Sequence, residues 1–323
     1  MLRKNDKAND TSSIQGSIKR YLIVRELGST KTHLYPVYLA YYFDPDRKET
    51  VNCVIKAISD LTAFKHELEI YGLKPHRSIL KCIDVIENYT IDFGIYKNKS
   101  FNMLVFPYLE NGSFIEVIEK YPLDEPTLRY YVEHLLDAIE YLHENGFAHR
   151  DIKPDNILLD DSFHPILIDF GHTVRHSNDK GPILFNAQTD RTTPGIIPPE
   201  FHKGVGYYGT RMDMFAFGKL LFNLATSLVP FASAKAGDPH FEIIAKGRWE
   251  DYWKMVKRNQ RSMKILSSEP SSELKALIQG LLHPISDKRM TIEEVRASAW
   301  YQNTKPRSLE DIQCQMLKTK HST

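Results

Sequence analysis

The stretch His149-Arg150-Asp151-Ile152-Lys153-Pro154-Asp155-Asn156 is followed, thirteen residues after its last member, by Asp169-Phe170-Gly171. Two carboxylates, a lysine and a carboxamide thus fall inside one short span, between runs of β-type residues. Immediately upstream, residues 127–145 place Leu128, Val132, Leu135, Ile139 and Leu142 at three- and four-residue steps, and Gly146 follows as a stop signal. Farther upstream the character changes. From residue 21 to about 106 the chain is rich in short β-type runs at 21–24, 37–42, 51–58, 82–86 and 103–106, with one helical stretch at 61–74. After Phe106 helices dominate, and a second clear one opens at Thr291 with Glu294 three residues on, a capping box ahead of Val295 and Trp300. A small strand-rich part is therefore expected to join a larger helical one near residues 107–112. The polar stretches 1–20 and 302–323 read as tails, the first with a local charge of about +3.

Composition narrows the classes. The chain has 323 residues, 42% hydrophobic and 26% charged, with a formal charge of +1. That balance fits a globular protein and gives no support to a nucleic-acid binder. Cys53, Cys82 and Cys314 are odd in number and far apart, without zinc spacing, so reduced thiols in a reducing compartment are expected. The first residues lack the apolar core of a secretory signal. The most apolar stretch, 214–234, carries Lys219 at midspan, which favours a buried helix over a membrane span. The expectation is a soluble monomer in the cytoplasm, with the nucleus left open.

The H-R-D…N and D-F-G motifs resemble those of the eukaryotic serine/threonine protein kinases. The resemblance covers about residues 21–301. It implies an α+β, two-lobed kinase fold: an antiparallel β-sheet lobe with one helix (21–106), a hinge (107–112) and a mainly helical lobe (113–301). It implies ATP and Mg²⁺ as cofactors and a protein serine or threonine as acceptor. In that family phosphoryl transfer needs a carboxylate to orient the hydroxyl, a cation near the γ-phosphate and oxygen ligands for Mg²⁺. Asp151, Lys153 and the Asn156/Asp169 pair match these roles in order.

Further residues follow from the same resemblance. Lys56 ends a β-run where the family anchors the α/β-phosphates. Glu67 or Glu69 would hold it, and counting back from His76 favours Glu67. Glu200 in P-P-E and Arg289 in D-K-R-M-T would form a buried pair, and Asp213 would accept backbone N–H groups from the catalytic loop. Lys153 and Thr193, before Pro194, match the serine/threonine pattern rather than the tyrosine one, and Thr193 would bond Asp151 and Lys153. Phe106 aligns as gatekeeper, with Pro107, Tyr108 and Leu109 as hinge. Pro107 lacks an N–H, but only its carbonyl is required of it there. Leu158 would be the floor under the base, with Leu27 and Val37 as roof. The C-terminal pattern is most similar to calcium/calmodulin-dependent-type kinases.

One segment departs. The family's phosphate-covering hairpin has three glycines, whereas the run from Leu27 to Val37 keeps Gly28 alone and is two residues longer. This opens two alternatives to an active kinase: a pseudokinase that binds partners without phosphotransfer, and a small-molecule kinase of similar fold. The intact Lys56, Glu67, Asp151, Asn156 and Asp169 oppose the first. The Thr193-Pro194 and P-P-E segments, with Arg289, oppose the second, because the resemblance assigns them to a peptide-positioning segment that such enzymes lack. Thr189, eleven residues before Glu200, is the expected regulatory phosphosite, its phosphate pairing with Arg150 and Arg175. Ser113 stands where relatives that prefer basic substrates often carry glutamate, so no strong arginine requirement is expected, although Asp155 would favour a basic residue. The aromatics Phe241, Trp249, Tyr252 and Trp253 read as packing.

Overall fold

Alternation of β-branched and aromatic residues builds the first unit. The computed structural model describes residues 16–27, 35–118, 123–178, 180–187, 194–265 and 269–321, and divides into units Met1–Gly112 and Ser113–Thr323. In the first unit β1 (Gly16–Ile18), β2 (Tyr21–Glu26), β3 (Val37–Asp44), β4 (Glu49–Ile58), β5 (Asp84–Ile91) and β6 (Lys99–Pro107) form one antiparallel sheet, ordered β1-β2-β3-β4-β6-β5. In β4, Cys53, Ile55 and Ala57 are fully buried while Asn52, Val54 and Lys56 are only partly so. Period two thus puts the lysine on the face opposite the apolar cluster of Ile23, Ala40, Ile55 and Met103. Helix α1 (Leu61–Tyr71) packs on β4 and β6. Its N-cap is Asp60, whose side chain accepts the Ala63 N–H, and its buried side is Phe64, Glu67 and Ile70.

Two expectations about this unit are corrected. Residues 16–20 are not tail. Ile18 is fully buried and pairs with Tyr21, so β1 edges the sheet through a two-residue turn. The run expected at 82–86 is a longer strand that begins at Asp84 and reaches Ile91.

The second unit is built on helices, with short strands between them. Helix α2 (Phe114–Ile118) precedes α3 (Glu125–Glu144), whose cap Asp124 accepts the Thr127 N–H. Helix α3 buries Leu128, Val132, Leu135, Ile139 and Leu142, the face read from the sequence. Beyond it Gly146 turns at φ +84°, where a side chain would be strained. Strand β7 (Phe147–Ala148) leads to the hairpin of β8 (Ile157–Leu159) and β9 (Pro165–Leu167). Strand β10 (Val174–Arg175) pairs with β7. A second hairpin follows, β11 (Ser177–Asn178) with β12 (Gly181–Pro182). Strand β13 (Leu184–Asn186) then pairs, across the helical turn α4 (Pro199–His202), with β14 (Gly206–Tyr208).

Helix α5 (Gly209–Thr226) is buried on nearly every side, as its apolar sequence requires. After it come α6 (Pro239–Ala245), α7 (Trp249–Ser262) and α8 (Ser272–Leu281). The aromatics of α6 and α7 are packing: Phe241 meets Phe231 at 5.1 Å between ring centroids, and Tyr252 and Trp253 meet Phe222 at 5.9 and 5.7 Å. The capping box at Thr291 forms, but its helix α9 (Ile292–Ala297) stops at Ser298, which caps a separate α10 (Ala299–Asn303) carrying the buried Trp300. Residues 302–323, expected as a frayed tail, instead carry α11 (Leu309–His321). Ile312 and Met316 are buried, Gln315 accepts from Thr127, and Arg307 pairs with Asp124. Among the described residues no helix is long and apolar enough to cross a membrane.

Candidate active site

The loop between β7 and β8 carries the quoted motif, and its shape is imposed from outside. Arg150 and Asp169 both adopt the left-handed backbone, at φ 61° and 62°. Each such residue costs roughly 1–3 kcal/mol and persists only where its surroundings over-determine it. Asp213, wholly buried near the start of α5, supplies that constraint at the first position. Its carboxylate accepts the backbone N–H of His149 (2.8 Å) and Arg150 (2.7 Å), and lies 2.8 Å from His143 Nε2. His149 links the two strained positions. Its Nδ1 accepts the Asp151 N–H at 3.2 Å and its Nε2 faces the Ile168 carbonyl at 3.1 Å. One acceptor and one donor define a neutral ring, and burial pushes the His149 pKa down in the same sense.

The loop presents Asp151 as a carboxylate gripped from two sides. Lys153 Nζ lies 3.0 and 2.8 Å from its two oxygens, and Asn156 Nδ2 donates to Oδ2 at 2.7 Å and to the Asp151 carbonyl at 2.8 Å. These contacts fix the rotamer of the Asp151 side chain. Because the amide nitrogen of Asn156 is turned to Asp151, the residue's oxygen is its remaining acceptor. The Ile168 N–H bonds the Asn156 carbonyl at 2.9 Å, and the partly exposed Asp169 follows directly along the chain. Among the described residues no group of three or more His, Cys, Asp or Glu side chains is arranged to hold a metal. One carboxylate and one carboxamide do fit Mg²⁺, which takes few protein oxygens when phosphates and water supply the rest.

In the first unit Lys56 Nζ meets Glu67 Oε1 at 2.7 Å, with Glu67 only 1% exposed, whereas Glu69 points to solvent. The alternative between the two glutamates is resolved by the buried face of α1. Leu27 is buried and its N–H bonds the Val37 carbonyl at 2.6 Å, closing the base of the β2–β3 connection. Phe106 is buried against Tyr71 at 5.0 Å. Pro107 ends β6, the Tyr108 N–H reaches the Asn52 carbonyl (3.4 Å), and the Leu109 carbonyl accepts from Gly112 (3.2 Å). In the second unit Leu158 is the partly exposed middle residue of β8. Gly28, Thr189 and Thr193 lie outside the described residues.

Arg289 and Glu200 form a bidentate pair, both contacts 2.9 Å, with Arg289 also donating to the Arg211 carbonyl at 2.7 Å. Arg150, expected to face a phosphate, is 2% exposed, its guanidinium 5.6 Å from the Phe185 ring and 5.8 Å from the Tyr207 ring. Those rings sit on the paired strands β13 and β14. Arg175 is stacked at 4.7 Å on Phe147. The aromatic surround of Arg150 was not legible in the sequence, since Phe185 and Tyr207 are linked only through strand pairing. His143 was missed as well, because nothing in the spacing ties it to Asp213.

Comparison with known proteins gives the family. The protein kinase domain family matches residues 47–301. CBL-interacting protein kinase 28 of Oryza sativa subsp. japonica is 27% identical over 288 residues, 88% of this chain and 59% of that protein. Serine/threonine-protein kinase cds1 of Schizosaccharomyces pombe is 26% identical over 312 residues, 92% of this chain and 62% of that protein. NUAK family SNF1-like kinase 1 of Homo sapiens is 29% identical over 252 residues, covering 77% of this chain and 33% of that protein. The matches thus span from a third to just over three-fifths of these relatives. The chain belongs to the protein kinase domain family.

Proposed function

We propose that this protein is a serine/threonine protein kinase that transfers the γ-phosphoryl group of ATP to a protein hydroxyl. The observation that carries the reading is the Asp151 carboxylate, held at once by Lys153 and Asn156. A carboxylate fixed in this way accepts a hydroxyl hydrogen bond, orients the oxygen for in-line attack and takes up the proton as the new O–P bond forms. Lys153 offsets the charge that develops on the transferred group. Asn156 and Asp169 would hold Mg²⁺, which supplies charge neutralisation on the phosphates when bound. Lys56, steadied by Glu67, would align the α/β-phosphates.

Two supports bear on acceptor and compartment. Lys153, two residues after Asp151, favours serine or threonine over tyrosine. The three cysteines are unbridged, which suits a reducing interior such as the cytoplasm, and burial pushes the Cys53 thiol up to about 12, which leaves it unreactive. No described feature favours the pseudokinase reading. The test is Mg-ATP phosphorylation of a generic basic protein beside the Asp151→Asn variant. Transfer that vanishes in the variant is expected. No transfer by the parent, with ATP still raising its melting temperature, would overturn the reading.

A further inference from the structure

Lys219 stands in the middle of α5 with 8% of its surface exposed, among Phe215, Phe222 and other buried apolar side chains of that helix. Taking an ammonium out of water is expensive unless it is paired and hydrogen-bonded. Among the described residues no carboxylate is in ion-pair contact with it. Its Nζ instead donates to the Gly195 carbonyl at 2.6 Å, reaches the Phe231 carbonyl at 3.5 Å and lies 4.2 Å from the centre of the Phe231 ring. Gly195 is the middle residue of the short helical turn Pro194–Ile196, ahead of the Pro198-Pro199-Glu200 run that Arg289 anchors. A methionine would fill this part of α5 without the desolvation cost. What the ammonium adds is a charge-assisted grip on one backbone carbonyl.

We infer that Lys219 is a positioning residue for the protein substrate, fixing the Pro194–Ile196 turn against α5 through the Gly195 carbonyl. The substrate half of this inference rests on the kinase reading, since the turn belongs to the segment that the resemblance assigns to acceptor positioning. The groups around Lys219 explain why its charge is spent on the turn. Asp238, the acid whose charge acts on Lys219, stands ahead of α6 and its carboxylate already accepts four N–H groups, from Ala232, Ser233, His240 and Phe241. On the α4 side the facing group is His202, whose Nε2 is 3.1 Å from Ser233 Oγ; Lys235 lies near His202 and adds further positive charge. Burial lowers the Lys219 pKa to about 8, with Asp238 acting in the opposite direction. The grip is therefore strongest below about pH 8 and weakens as the ammonium loses its proton above it.

The experiment compares the parent, Lys219→Met and Lys219→Arg with a serine peptide at pH 7 and pH 9, and follows backbone amide exchange over residues 195–197. Lys219→Met is expected to raise the peptide KM about tenfold, the scale of one charge-assisted hydrogen bond, while the ATP KM stays within about twofold. Lys219→Arg should recover part of the loss. The parent's peptide KM should climb at pH 9 toward that of the Met variant, whose own value stays flat. Equal changes in both KM values, an unchanged peptide KM, or the same pH response in the Met variant would overturn the inference. Should Lys219→Met fail to fold, a parent peptide KM that does not rise between pH 7 and pH 9 overturns it equally. If the parent transfers no phosphate, the kinase reading fails on its own. The link to Gly195 is then read from exchange, which must quicken at 195–197 in the Met variant and overturns the inference if unchanged.

Discussion

Two lysine–carboxylate pairs serve the proposed chemistry, and they are built in opposite ways. Lys153 and Asp151 are two residues apart in one loop, and the lysine straddles both carboxylate oxygens with Asn156 as a third party. Lys56 and Glu67 come from a strand and a helix, and meet through a single 2.7 Å contact. The first pair joins near neighbours in one loop, so it forms once Asp213 has fixed that loop. The second depends on α1 presenting the correct face to β4. The difference separates a feature held by sequence proximity from one held by packing, and it predicts which is easier to lose.

Asp151→Asn tests the local pair at its strongest. It keeps the shape but cannot accept the hydroxyl proton, and the turnover number should fall about 10²–10⁴-fold with the melting temperature little changed. A residual rate near the parent's would break the assignment. Arg289→Leu supplies a purely structural contrast, because it strands the buried Glu200. Stability should drop by about 3–5 kcal/mol in denaturant titration. An unchanged midpoint would show that water reaches Glu200.

Glu67→Gln tests the packing-dependent pair. Lys56 loses its charged tether while the fold survives, and turnover should fall about 10²-fold through misplacement of the lysine. The same substitution at the exposed Glu69 should leave activity unchanged, and a loss there equal to that at Glu67 would undo the comparison. The smallest expected effect is Thr291→Ala, which removes one cap from α9, an element that carries neither pair. It should cost about 1 kcal/mol with no change in the kinetic constants.

The same contrast governs what the sequence disclosed. The catalytic loop was legible because its residues are neighbours along the chain. Strands β2, β3, β4 and β6 were legible from their β-branched and aromatic runs. Glu67 needed more than a count, yet its place three residues from both Phe64 and Ile70 puts it on the buried stripe of α1. Strand β1 was lost inside a polar stretch because three residues are too few for a period to show. Helix α11 was readable in principle, since Leu309, Ile312 and Met316 recur at helical steps, but the polar residues among them masked the pattern. The aromatic surround of Arg150 and the hold of Lys219 on Gly195 are tertiary, and no local period encodes either.

The left-handed residues Arg150 and Asp169 bear on whether this site can be moved. A peptide spanning 149–171 contains Asp151, Lys153, Asn156 and Asp169, but Asp213 and His143 would be missing. Free in solution, Arg150 and Asp169 would relax toward ordinary backbone angles, and the four groups would drift apart. Grafting the segment onto another scaffold would therefore transplant the residues and leave the site behind. A successful graft would have to carry a buried carboxylate in the place of Asp213, so the smallest portable unit includes the start of α5.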